Sequence, residues 1–308
     1  MATKLQMMSE LAAQTTERLT QSKENWTGFL DSAAWLYKYP FHEQVLIHAQ
    51  RPDATACAPI ELWNNAFKRW VNKGAKGIAI IDDSGQKPTL RYVFDVSDTN
   101  TRYNIPFRLW QTKPEYEAQI IEELQNRFGD IGVEDAEFSS AVLGIAINAV
   151  SDNYDDYKNE LLKAAGNSAL ADMSDDEISS TFMVLLMTSV AHTVFVRLGI
   201  DAAAIFRADE YDSISLFNSP DTIAQLGAAT SDISEMVLRQ IERSVRSMER
   251  QERDTLAKSQ QVLQNEDRKN ERSVEHGYFK VENQRKNKIR SRRARQFKDP
   301  SGKQNLFP

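Results

Sequence analysis

Two lysines framed by two glycines, Lys73-Gly74-Ala75-Lys76-Gly77, form the part of this chain best suited to hold a charged ligand. Glycine serves backbone of positive φ and places with no room for a side chain, so the two lysines are expected at a rigid corner. An ammonium group fixed there contacts phosphate as a point charge, and aromatic rings nearby offer faces on which bases stack. With Trp63, Arg69, Tyr39 and Arg91, the residues Lys73, Gly74, Lys76 and Gly77 make up a candidate nucleic-acid site. A nucleotide-binding loop is excluded: it requires a Lys-Ser/Thr pair opening a helix, whereas here the apolar run Ile78-Ala79-Ile80-Ile81 follows and reads as a strand. The competing reading is a solvated basic turn with Trp63, Phe67 and Trp70 in the core.

No other chemistry stands out at this stage. His42 and His48 are six residues apart on a short helix and do not share a face, and His276 has no ligand spacing to either. The single cysteine, Cys57, excludes an internal disulfide framework and any multi-cysteine metal site. Between Ala56 and Ala58 it reads as a packed thiol. No Ser/His/Asp set appears, and nothing in the sequence calls for a cofactor. With no N-terminal charged-then-apolar signal segment, a cytoplasmic location is expected.

The elements that must position the lysine turn read as follows. Residues 1–24 are a polar helical arm. Trp26, Phe29, Leu30, Ala33, Leu36 and Tyr37 mark an amphipathic helix closed by Pro40. Phe41 to Gln50 is a short helix between Pro40 and Pro52. Pro59 opens another, with Ile60, Trp63, Phe67 and Trp70 on one face. Strands Ile78–Ile81 and Leu90–Val96 then form a hairpin across Asp82-Asp83-Ser84-Gly85, with Arg91 on the face opposite Leu90, Tyr92 and Phe94. Arg102 and Tyr103 lie just beyond it. Helices are expected at Tyr116–Phe128, Phe138–Val150 and Tyr154–Ala165. Ser174-Asp175-Asp176-Glu177 is a capping box opening the most apolar helix. Its run from Phe182 to Leu198 is broken by Thr188, Ser189, His192, Thr193 and Arg197, and so reads as a core helix rather than a membrane span. After Ser219-Pro220, a polar helix from Ile233 to about Asp267 carries a narrow stripe of Ile233, Val237, Ile241, Val245 and Met248. A basic tail follows. The class expected is α+β, predominantly helical, with the hairpin in the N-terminal domain.

Charge divides the chain. Residues 1–110 carry 13 basic and 11 acidic groups, residues 111–235 carry 6 and 23, and residues 236–308 carry 19 and 10. Three blocks of such different character argue for three functional regions. With the reading of the elements, the expected division is an N-terminal arm (1–24), an N-terminal domain (25–110), an acidic helical bundle (113–230) and a long helix with a basic tail (232–308). The acidic block supports a rival reading, an inhibitor of a host defence nuclease acting by protein–protein contact.

Over residues 25 to 110 the sequence resembles the N-terminal domain of ArdC-type antirestriction proteins, and the related domain of very large helicase/methyltransferase-type proteins of bacterial conjugative elements. The matching residues are Tyr37, Tyr39, Gln44, Leu46, Ile47, Ala49, Gln50, Pro52, Ala54, Thr55, Trp63, Lys73, Gly74, Lys76, Gly77 and Ile78, followed by the block Tyr92 to Thr99. The resemblance implies a single-stranded DNA binding module of a mobile genetic element, with an antirestriction or conjugation-associated role. It also keeps a host restriction or CRISPR nuclease in view as a partner. In that family a zincin-like metallopeptidase domain with His-Glu-x-x-His follows. Here Thr188 and Ser189 stand where the first ligand and the catalytic glutamate would be, and only His192 remains. Zinc hydrolysis needs several protein ligands and a base for the bound water. The expectation is a non-enzymatic protein without a catalytic zinc.

Overall fold

A computed structural model describes residues 2–101, 107–133 and 136–296. Arg102, Tyr103, the side chain of His276 and the last twelve residues of the basic tail lie outside the described residues. Helix makes up 71% of the structure and the sheets are small, so the chain is predominantly helical α+β. Met1–Ser247 is one compact unit and Met248–Pro308 a second. The segments 25–110 and 113–230 share the first.

Helix α1 (Lys4–Leu19) opens on a capping box between Thr3 and Gln6, and α2 (Lys23–Trp35) on Ser22. Helix α3 (Phe41–Gln50) starts after Pro40. Next come β1 (Cys57–Ala58), α4 (Ile60–Asn65) and β2 (Trp70–Val71), then the hairpin of β3 (Ile78–Asp82) and β4 (Thr89–Asp95), and finally β5 (Thr99–Asn100). Strand β4 lies between β1 and β3 in an antiparallel sheet, with Ile78 opposite Val93 and Ile80 opposite Arg91. β2 and β5 form a separate two-stranded ribbon. One face of the hairpin is buried through Ile78, Ile80 and Val93, which pack with Leu36, Leu46, Ile47 and Ala54. Alternation therefore leaves Tyr92 on the outer face.

The helical half consists of α5 (Glu117–Phe128), α6 (Phe138–Ala164), α7 (Asp175–Leu198), the short α8 (Ala202–Ile205) and α9 (Pro220–Gln296). α7 begins at the Ser174–Glu177 capping box and ends at Gly199, whose φ of +77° is the left-handed stop that glycine permits. It is long and apolar enough to cross a bilayer, yet 67% of its most apolar window is buried inside the unit, as expected of a core helix. Within the first unit α9 buries Ile223, Leu226, Ile233, Val237, Ile241 and Val245. In the second unit, every described side chain from Arg250 to Ser291 is exposed.

Three expected elements differ. The helix after Pro59 stops at Asn65, because the carbonyls of Leu62 and Trp63 are taken by the amides of Phe67 and Arg69, and Lys68 turns to φ +53°. Trp70 is consequently on a strand, not on the helix face of Trp63. The two helices expected at 138–150 and 154–165 are one. Asn153 bonds back to the Ala149 carbonyl, while Tyr154 is buried with its hydroxyl on Ser179, so the apolar face continues through the polar link. The final helix starts at Pro220 and continues through the basic residues to Gln296.

Candidate nucleic-acid interface

The lysine turn is built by three sets of bonds. Asn72 donates its amide to the Asp98 carbonyl and accepts the Ala75 amide, and its side chain takes a bond from Asn100. Gly74 then adopts φ +87°, a conformation that other residues resist. Gly77 meets a different demand: a Cβ there would lie 3.1 Å from Cζ of Phe94 and 3.2 Å from Tyr92. The turn thus rests on the aromatic outer face of β4, where a side chain would press on both rings. Lys73 and Lys76 are exposed, and neither has a hydrogen-bonding or ion-pair partner among the described residues. Tyr92 is 40% exposed, with Nζ of Lys4 4.7 Å from the centre of its ring.

The support beneath this face is rigid. Gln50 at the end of α3 acts as an extra strand residue, donating to the Ala79 carbonyl at 2.8 Å and accepting its amide at 3.0 Å. Asp95 accepts from the amides of Thr55, Ala56 and Ser97 and from the Ser97 hydroxyl. Burial pushes its carboxyl up, but those bonds outweigh burial and hold it below the usual range. Arg51 reaches Asp98 at 2.5 Å and Ser97 at 2.7 Å, fixing the strand exit to the end of α3.

Four of the residues assigned to the site from sequence serve the fold instead. Trp63 is buried, its indole N–H donating to the Phe94 carbonyl at 2.9 Å. Tyr39 donates its hydroxyl to the Cys57 carbonyl, and burial pushes the phenol up. Arg69 is spent on the hydroxyl and carbonyl of Thr99. Arg91 lies on the core-facing side of β4 and forks onto both oxygens of buried Glu43 at 2.6 and 2.7 Å. Arg91 and Tyr92 lie on opposite faces of β4, as the alternation predicts, and the face of Arg91 is the one that meets Glu43 on α3. Lys73, Gly74, Lys76 and Gly77 do come together at the surface. Two exposed rings were missed as site members. Tyr92 is one. The other is Phe67, 42% exposed, whose ring centre lies 5.1 Å from that of Trp63 and 5.3 Å from that of Phe107. The alternation of β4 could have found Tyr92, whereas Phe67 required knowing that the helix stops early.

The α7 positions compared with a zincin are bound up elsewhere. Thr188 bonds back to the Val184 carbonyl, and fully buried Ser189 accepts the indole N–H of Trp26 at 2.9 Å. The two ring nitrogens of His192 face Tyr211 at 2.8 Å and Asp31 at 2.9 Å. His48 is bonded to Ser32, and burial lowers its pKa. Burial likewise pushes the Cys57 thiol up to about 12, away from the reactive thiolate.

No protein-family model, curated protein or solved structure matches this chain.

Proposed function

We propose that the chain binds single-stranded nucleic acid on the outer face of its hairpin sheet, without a reaction of its own. The observation that supports this most is the packing of Gly77 on Tyr92 and Phe94, which puts an exposed ring against the turn that carries two exposed lysines, both without a partner among the described residues. Lysines tracking phosphates next to a ring that accepts any base is the arrangement single strands require. Base pairing would hide the faces that Tyr92 needs, so duplex should bind more weakly. The resemblance to ArdC-type domains supports a role for such binding in antirestriction or conjugation. Anisotropy of a fluorescent oligothymidylate tests it: Lys73→Glu with Lys76→Glu should weaken binding by about tenfold or more at low salt, and Tyr92→Ala by ~1–3 kcal/mol. Unchanged affinity in both variants would remove the face from consideration.

One observation favours the rival reading, inhibition of a host restriction or CRISPR nuclease. Asp152, Asp155, Asp156 and Glu160 on α6 and Asp172, Asp175 and Asp176 near the start of α7 are all exposed, a run of carboxylates able to face a basic groove. Pulldown with such nucleases, failing when these residues are made neutral, would favour it over the sheet face.

A further inference from the structure

A cleft of about 630 Å³ opens where α2, the end of α7, α8 and the 3-10 segment Ala208–Leu216 meet. That volume is in the range of sites for small organic ligands. Val196, Ile200 and Phe206 give it apolar walls, and His192, 93% buried, stands in it between Asp31 and Tyr211.

We propose that this cleft binds a ligand carrying a protonated amine on an apolar body, with Asp31 as the counter-ion. Burial pushes the Tyr211 phenol up, so it stays protonated and uncharged 2.8 Å from Nδ1 of His192. An ionised carboxylate only accepts, so Nε2 of His192, 2.9 Å from Oδ1 of Asp31, is the donor of that pair. The Asp31 side chain is 59% exposed, so its charge is presented to the cleft and not sealed beneath it. Glu24 and Asp201 add negative charge to the lining. The cation there, Lys23, is already matched by Asp212 at 3.0 Å. An anion would meet net repulsion, and a neutral apolar molecule would leave the excess of carboxylates over cations in the lining unmatched. An ammonium group on an apolar body satisfies both parts of the cleft.

The test is calorimetric titration of the full chain with 2-phenylethylamine, its neutral counterpart 2-phenylethanol and the anion 3-phenylpropanoate. The amine should bind at least about tenfold more tightly than the alcohol, as a charge-assisted bond implies, and the anion should not bind. Asp31→Asn keeps an acceptor for the His192 N–H, so unfolding should be unchanged while amine affinity falls about tenfold. Ala203→Trp, at an exposed position of the lining, should block the amine by filling the space. A free amine and a peptide lysine share this chemistry, and a lysine tripeptide titrated in parallel shows which source fits the apolar walls better. Equal binding of amine and alcohol, full amine affinity in the folded Asp31→Asn variant, or no saturable amine binding would overturn the proposal.

Discussion

Glu242 shows how one side chain can join distant parts of the chain. Its carboxylate accepts the Tyr37 hydroxyl at 2.6 Å, pairs with Lys38 at 2.6 Å and with Arg246 at 2.6 Å, and is itself buried. Tyr37 in turn accepts the Trp110 indole N–H at 3.0 Å. Arg197 stacks 3.6 Å from the Trp110 ring centre and 5.1 Å from that of Trp35, and its burial lowers it to about 10. Burial raises the Glu242 carboxyl, but Lys38, Tyr37 and Arg246 outweigh it and bring it down to about 2 from an ordinary 4.5. A depressed acid stabilises the fold above its unfolded pKa and loses that contribution as the pH falls through the folded value. Stability should accordingly fall from about pH 4.5 towards pH 2, with this group supplying at most about 3 kcal/mol of the change. Glu242→Gln should lower stability at pH 7 and flatten that part of the profile, as read by urea unfolding at several pH values. An unaltered profile would mean that the charge is not coupled to folding.

Among the elements, α9 and α3 meet closely at Gly227 and Phe41. A Cβ on Gly227 would lie 2.3 Å from Cε2 of Phe41, a ring that is itself buried. Gly227→Ala should destabilise by ~1–3 kcal/mol through overpacking, although alanine is the better helix former. Combining it with Phe41→Leu should give a loss smaller than the two single losses added together, measurable by thermal unfolding. Periodicity and punctuation made most of these elements legible in the sequence: Pro40 and Pro52 around α3, the Ser174 capping box, and the alternation of the hairpin strands. What stayed illegible was long-range. The bonds from Tyr37 to Glu242, Trp26 to Ser189 and His192 to Asp31 span 205, 163 and 161 residues, and no local spacing encodes them. The same holds in the candidate site, where the glycine-framed lysines were readable as a turn. Whether Arg91 or Tyr92 faced outward depended on the packing of α3 behind the sheet.

At the scale of the molecule, the two compact units differ in kind. The first buries an extensive set of apolar side chains, while from Arg250 to Ser291 the second exposes every described side chain, among them Tyr278 and Phe279 beside Lys280, Arg285 and Lys286. Truncation after Asp267 should therefore leave the thermal transition of the first unit unchanged, since almost no apolar burial is lost. It should also weaken nucleic-acid binding at low salt by removing basic groups, without abolishing it. Loss of the cooperative transition would contradict the first expectation, and unchanged affinity the second.

The central claim is that Lys73 and Lys76 neutralise phosphates on a single strand lying across Tyr92. The most direct test is the dependence of oligothymidylate affinity on salt concentration in the full chain and in its Lys73→Glu, Lys76→Glu variant. Each phosphate contact on a single strand contributes a slope of about 0.7 in log affinity against log salt, so the variant should lose about 1.4. An identical slope in the two proteins, with equal affinity at low salt, would contradict the account.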